Sequence, residues 1–152
     1  MYYNGAMDKD KKNIFLYKRQ GRILAFQALF SHEFNQKSLY ELLKFNWVEE
    51  KYEDKAFEYA KFLIVGTINN INEIDDVIKS KLRNWNFERI SSIDKAILRF
   101  SIFCLLYEND LPERIIINEA IEIVKDFGTQ DSYKFVNGIL DAIRKTKNTK
   151  KS

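Results

Sequence analysis

The sequence predicts an all-α protein of about six or seven helices in one domain, and three observations carry that expectation. Apolar residues recur at spacings of three and four along most of the chain. No segment alternates polar and apolar residues for the length of a strand, and no repeat of solenoid length appears. One proline and five glycines among 152 residues leave long stretches without a helix breaker.

Each helix has its own signal. From Lys18 to about Phe34, Leu24, Ala25, Ala28 and Leu29 form one apolar stripe, with Arg19 and Arg22 sharing a face just before it. Ser38 can cap a second helix running to about Val48. A third starts near Asp54, with Phe57, Ala60, Leu63, Ile64, Ile68 and Ile71 on one stripe. It bends near Gly66 or Asn69-Asn70 and continues to Leu82. Asn84-Trp85-Asn86-Phe87 reads as a packed connector. Ser91 or Ser92 then opens a helix, with Asp94 complementing the N-terminal dipole. That helix is apolar nearly all round, which makes it the central buried one. Asn109-Asp110 ends it, and Pro112 sits where the next helix starts. Ile115 to Phe127 follows, with Gly128 as its C′ residue, and a last helix spans about Ser132 to Lys145.

Composition bounds the class. A 45% hydrophobic and 31% charged chain has the balance of a globular protein, not of a disordered or membrane one. No apolar run approaches the roughly 20 residues needed to span a bilayer. The first residues hold no apolar core of a secretory signal. Cys104 is the only cysteine, so no internal disulfide can form, and a reducing compartment, the cytoplasm, is expected.

The net charge of +3 hides a segregation. Residues 1–22 carry six Lys/Arg against two Asp, a net of +4, and residues 144–152 carry five cations and no acid. The segment between them is therefore at −6. Basic ends on an acidic body suit either solubilising tails or contact with a polyanion.

Chemistry of the enzymatic kind has little support. His32 is the only histidine and lies near no pattern that would make it a base or metal ligand. Cys104 falls in the most apolar helix, where an inert thiol is expected. No phosphate-cradling glycine loop is present. No cofactor and no metal site is expected. Nucleic-acid binding fares better, because Lys18, Arg19 and Arg22 gather cations at a helix start. Tyr133-Lys134-Phe135 sets aromatics beside a cation, the pairing that single-stranded RNA sites use. By spacing alone Phe135 fits core packing at least as well.

Three blocks then carry a family resemblance: RQGRILAFQALF at 19–30, NWNFERISSIDKAILR at 84–99, and INEAIEIVKDFGTQDSYKFVNGILDAI at 117–143. Together they closely resemble the NusB family of bacterial transcription antitermination factors, from about Lys18 to Lys145. The resemblance implies two small helical bundles and no enzymatic activity. It implies binding to single-stranded boxA RNA of ribosomal-RNA leader transcripts. The expected partners are the ribosomal protein NusE and the antitermination complex on RNA polymerase. By position, Lys18, Arg19, Arg22, Phe30, Asp131, Lys134 and Phe135 correspond to the RNA surface, with Phe135 as a partly exposed stacking residue. Glu88 and Asp94 correspond to the side facing the ribosomal protein. The implied organisation is a flexible basic lead (1–17), a helical RNA-binding domain (18–146) and a basic tail (147–152).

This chain departs from the family in places. Phe30 replaces a frequent Tyr, Gln20 a frequent cation, and Phe103-Cys104 an aromatic-Glu pair. Two alternatives accompany the main expectation. One is the N-terminal RNA-binding domain of an RNA cytosine methyltransferase, for whose catalytic domain 152 residues leave no room. The other is a homodimer with its RNA face hidden.

Overall fold

The computed structural model describes residues 9–35, 37–83 and 86–151, and for Asp10 and residues 148–151 the backbone alone. Among the described residues there are seven α-helices and no strand. These are α1 (Lys9–Asn35), α2 (Leu39–Leu42), α3 (Asp54–Asn69), α4 (Ile71–Lys81), α5 (Ser92–Tyr107), α6 (Glu113–Phe127) and α7 (Gln130–Lys151), with a 3-10 turn at Phe87–Arg89. The chain divides into two compact units, Met1–Val65 and Gly66–Ser152, the division falling within α3.

In the first unit the stripe of α1 is buried as its spacing predicts. Leu24, Ala25 and Ala28 are fully covered and Leu29 nearly so, alongside Ala56, Ala60, Leu63 and Ile64 of α3. The two helices approach tightly at Gly21, where a Cβ would lie 2.8 Å from Tyr59 Cδ2 and 2.9 Å from the Ala56 carbonyl oxygen. A glycine inside a helix costs about 1 kcal/mol against alanine, and here backbone contact explains its place. Helix α1 begins at Lys9, well before Lys18, within the stretch expected to be a flexible lead. No glycine or proline interrupts residues 9–17, Tyr17 meets the Tyr59 ring edge-on at 6.2 Å, and Arg19 covers Phe15. Residues 1–8 lie outside the described residues.

The second helix is much shorter than its pattern suggested. Ser38 does cap it, its Oγ accepting from the Glu41 N–H at 3.2 Å, but α2 stops at Leu42. Phe45 then takes a left-handed conformation, φ 53°, which no helix can continue through. Its ring packs on Phe57 and Trp47, and Trp47 donates to Gln27 Oε1 at 3.0 Å. Aromatic burial thus overrides helix periodicity there.

The second unit is arranged around α5, which packs on α4, α6 and α7. Every residue from Asp94 to Leu105 is buried, as the all-round apolar pattern implied. Ser91 caps the helix, its Oγ accepting from Asp94 N at 3.1 Å. The buried cation Arg99 is met by Asp75 of α4 through two hydrogen bonds of 2.9 Å, a bidentate pair. The Phe87 ring lies against Lys79, Lys95 and Arg99, at 4.9, 4.7 and 5.8 Å. Phe87 is therefore a packed connector residue, while Asn84 and Trp85 lie outside the described residues.

Three boundaries differ from expectation. The helix expected to bend and run to Leu82 is two helices, α3 and α4. They part at Asn70, whose side chain donates to the Gly66 carbonyl at 2.7 Å. Gly128 follows α6 in an extended conformation, not a left-handed one. A Cβ there would sit 2.9 Å from Ser132 Cβ, so crowding, not φ, calls for glycine. Helix α7 continues past Lys145 to Lys151, into the expected tail. Lys147 donates to the Leu105 carbonyl and approaches Glu113 at 3.8 Å, which ties that part of the tail to α5 and α6.

Candidate nucleic-acid interface

The first unit holds four of the candidate residues. Lys18 and Arg22 stand one turn apart on α1, and both cations lie over the Tyr59 ring of α3, at 5.1 and 5.6 Å. Arg19 lies over Phe15 at 4.5 Å. Lys18 and Arg19 are half-buried. Arg22 is different. At 4% exposure it is buried, with its guanidinium against the Tyr59 ring. Sequence spacing placed it with its two neighbours because Tyr59, which covers it, is remote along the chain. Phe30 is half-buried in an aromatic row along α1, 6.1 Å from Phe26 and 5.0 Å from the exposed Phe34. The row follows from the i,i+4 spacing of the three rings.

The second unit holds the rest. Thr129 opens α7, its Oγ1 accepting from Ser132 N at 3.1 Å. That cap fixes the first turn, on which Asp131 and Lys134 are exposed and Phe135 is half-buried. Asp94, Asp131 and Phe135 line one cavity of about 310 Å³, together with Arg89, Ile90, Ile93 and Phe127. Sequence reasoning divided these residues between an RNA surface and a protein-partner face. The structure sets them around one hollow. Arg89 and Phe127 were missed, since a turn residue and a helix-end aromatic carry no distinctive spacing. Glu88 is exposed on the 3-10 turn, its N–H donating to Asn86 Oδ1 at 3.0 Å.

Asp94 is the unusual group in this cavity. It is 8% exposed, and its Oδ1 has no hydrogen-bond partner among the described residues. Burial pushes its carboxyl above the ordinary carboxylate range, against hydrogen bonds from Ser132 and Ser91 that pull it down. A buried carboxylate oxygen with a free lone pair beside an apolar wall suits a donor brought by a partner.

Other reactive side chains are accounted for structurally. His32 Nδ1 is 3.0 Å from the Lys37 carbonyl, a contact that closes the turn after α1. Cys104 is 1% exposed. Among the described residues no group of three or more metal-ligating side chains occurs, and no helix is long and apolar enough to cross a membrane.

A helical protein with cations set over aromatic rings in one unit, and a cavity walled by Phe127 and Phe135 beside Arg89 in the other, has the residue types of an RNA-associated factor. Comparison with known proteins makes this specific. The family model described as NusB family matches residues 19–145, and the chain belongs to that family. The transcription antitermination protein NusB of Treponema denticola is 49% identical over 129 residues, covering 84% of this chain and 95% of that protein. A structure of Thermotoga maritima NusB superposes with a TM-score of 0.78 at 43% identity, covering 84% of this chain and 90% of that one. A structure of antitermination factors NusB and NusE in complex with double-stranded RNA aligns at a TM-score of 0.72 and 25% identity, covering 86% of this chain and 97% of that one. Curated relatives matched over most of their length, that of Treponema denticola among them, are named transcription antitermination proteins.

Proposed function

We propose that this chain is a cytoplasmic RNA-binding antitermination factor. It binds single-stranded boxA RNA of ribosomal-RNA leader transcripts jointly with the ribosomal protein NusE, within an antitermination complex on RNA polymerase. Residues 18–146 form the RNA-binding domain. The observation that carries this reading is the position of Phe135, a half-buried ring between exposed Lys134 and a cavity containing a buried, half-unpartnered Asp94. A ring so placed can stack on an unpaired base while Lys134 meets a phosphate. Lys18 and Arg19 supply further phosphate contacts, Phe30 a second aromatic surface, and Asp131 a hydrogen-bond acceptor. Arg22 acts by holding Tyr59 beneath Lys18. Glu88 and Asp94 face the basic ribosomal protein, which the acidic body of the chain attracts. The association of relatives with NusE and RNA in a solved complex supports the assignment.

The test is a titration of boxA-like RNA with and without NusE. Affinity is expected to rise when NusE is added, because both proteins contact one strand. Phe135→Ala is expected to cost about 1–3 kcal/mol of RNA binding. Absence of coupling would end the joint-binding reading, and an unaffected Phe135→Ala would end the stacking role.

A further inference from the structure

A groove in the second unit lies between the end of α4 and α7. Its volume is about 350 Å³, and Lys81, Arg83, Lys134, Phe135, Gly138 and Ala142 are among its walls. Three cations line it and no acid does. Two other hollows mix both signs, one lined by Asp54, Glu58, Lys44 and Lys61, and the Asp94 cavity by Asp94, Asp131 and Arg89. No ion pair among the described residues holds Arg83 or Lys134. Lys81 donates one N–H to Thr146 Oγ1 at 2.6 Å, which anchors its ammonium and leaves two further donors. Asp141, the acid of α7 nearest in sequence to Gly138, is held by Arg144 at 2.7 Å and Lys145 at 3.1 Å. The groove is open at Gly138, where an added Cβ would meet nothing within 4 Å. Phe135 belongs to this groove and also to the Asp94 cavity.

From these features we infer that the groove is a second RNA subsite, which takes the sugar-phosphate backbone of the strand whose base stacks on Phe135. The inference rests on the RNA-binding reading above. Three cations around an apolar floor suit consecutive phosphates of a flexible strand, and the missing side chain at Gly138 lets the strand come close to the helix there. The subsite is sequence-tolerant, because nothing in its walls reads a base edge in preference to a phosphate.

The experiment uses the full chain and two RNAs, a boxA-like oligonucleotide and the same RNA lengthened by uridines at either end. Affinity is measured across a salt series for the wild type, the double variant Lys81→Ala/Arg83→Ala, and Gly138→Leu, with helical circular dichroism to check folding. On the longer RNA the double variant is expected to bind about tenfold more weakly at low salt. Its slope of log affinity against log salt should be shallower by about 1.4, the loss of two single-strand phosphate contacts. Gly138→Leu is expected to weaken binding several-fold with a smaller change in slope, because it obstructs the groove without removing charge. A double variant with wild-type slope and affinity, in a protein that still binds RNA, overturns the subsite and leaves the wider reading intact. A wild type that binds neither RNA overturns both. Displacement of the longer RNA by an acidic peptide at equal charge concentration also overturns the assignment to RNA.

Discussion

Replacing Gly21 by alanine isolates the close approach of α1 and α3. In an exposed helix interior this change stabilises by about 1 kcal/mol through backbone entropy. At Gly21 the new methyl would lie 2.8 Å from Tyr59 Cδ2, 2.9 Å from the Ala56 carbonyl oxygen and 3.2 Å from the Ala60 nitrogen. Two of these three neighbours are backbone atoms, so the helices themselves must part. Overpacking of this kind costs about 1–3 kcal/mol, so the net effect is a loss of up to about 2 kcal/mol. Gly138 supplies the control, since it lies inside α7 with nothing near its missing Cβ. Gly138→Ala should therefore gain about 0.5–1 kcal/mol. The gap between the two variants measures the contact alone, about 1–3 kcal/mol. In a chain of this size that corresponds to a few degrees up to about ten degrees in Tm. Thermal melts followed by far-ultraviolet circular dichroism, with urea midpoints at unchanged m-value, read it directly. If Gly21→Ala proved as stable as Gly138→Ala, the tight crossing of α1 on α3 would be refuted.

Other expectations follow from the same geometry. Gly66→Ala should be more damaging than Gly21→Ala, because its Cβ would fall 2.1 Å from Phe103 Cζ, within the ring itself; equal melting temperatures for the two variants would contradict this. Asp75→Ala leaves Arg99 without its bidentate partner in a site where both side chains are largely buried, and should cost about 3 kcal/mol in urea unfolding. A loss below a few tenths of a kcal/mol would show that Arg99 finds another acceptor. Asp94 has a carboxyl raised by burial above its ordinary 3.8, so the folded chain prefers its proton. The associated stabilisation is complete below that value and is lost as pH rises through the raised one. Asp94→Asn should therefore gain stability relative to the wild type as pH rises from strongly acidic towards neutral, and a pH-independent difference would exclude burial as the cause. Lys18→Ala with Arg19→Ala should reduce the salt dependence of RNA binding while leaving Tm nearly unchanged, whereas Arg22→Ala should lower Tm, being buried. Identical behaviour of the surface pair and Arg22 would remove the distinction drawn between them.

Much of this architecture was legible in the residues. The stripe of Leu24, Ala25, Ala28 and Leu29 and the nearly all-round apolar pattern of α5 are local patterns, and local pattern survives into the fold. The cap at Ser38 was legible too, and the second cap was narrowed to Ser91 or Ser92, because capping is set by neighbours along the chain. What escaped was set by distant partners. Nothing beside Arg22 announces that Tyr59 will cover it, and nothing beside Phe45 announces that Phe57 and Trp47 will draw it out of a helix. The separation of α3 from α4 turned on one side-chain hydrogen bond from Asn70, a competitor that periodicity does not weigh. The candidate site was legible by family likeness at single positions. That likeness did not join Asp94 to Asp131 and Phe135, because a shared cavity is a property of three elements at once.

The burial of α5 on every side has a kinetic meaning. Its amides from Asp94 to Leu105 reach water only when α4, α6 and α7 all release it, since it has no solvent-facing stripe along which to open alone. Hydrogen exchange in this stretch should therefore report the global unfolding of the second unit. A substitution that disturbs the packing of α5 can therefore reach all three of its neighbouring helices. The helix thus sets the smallest piece of the second unit that can fold or unfold as one.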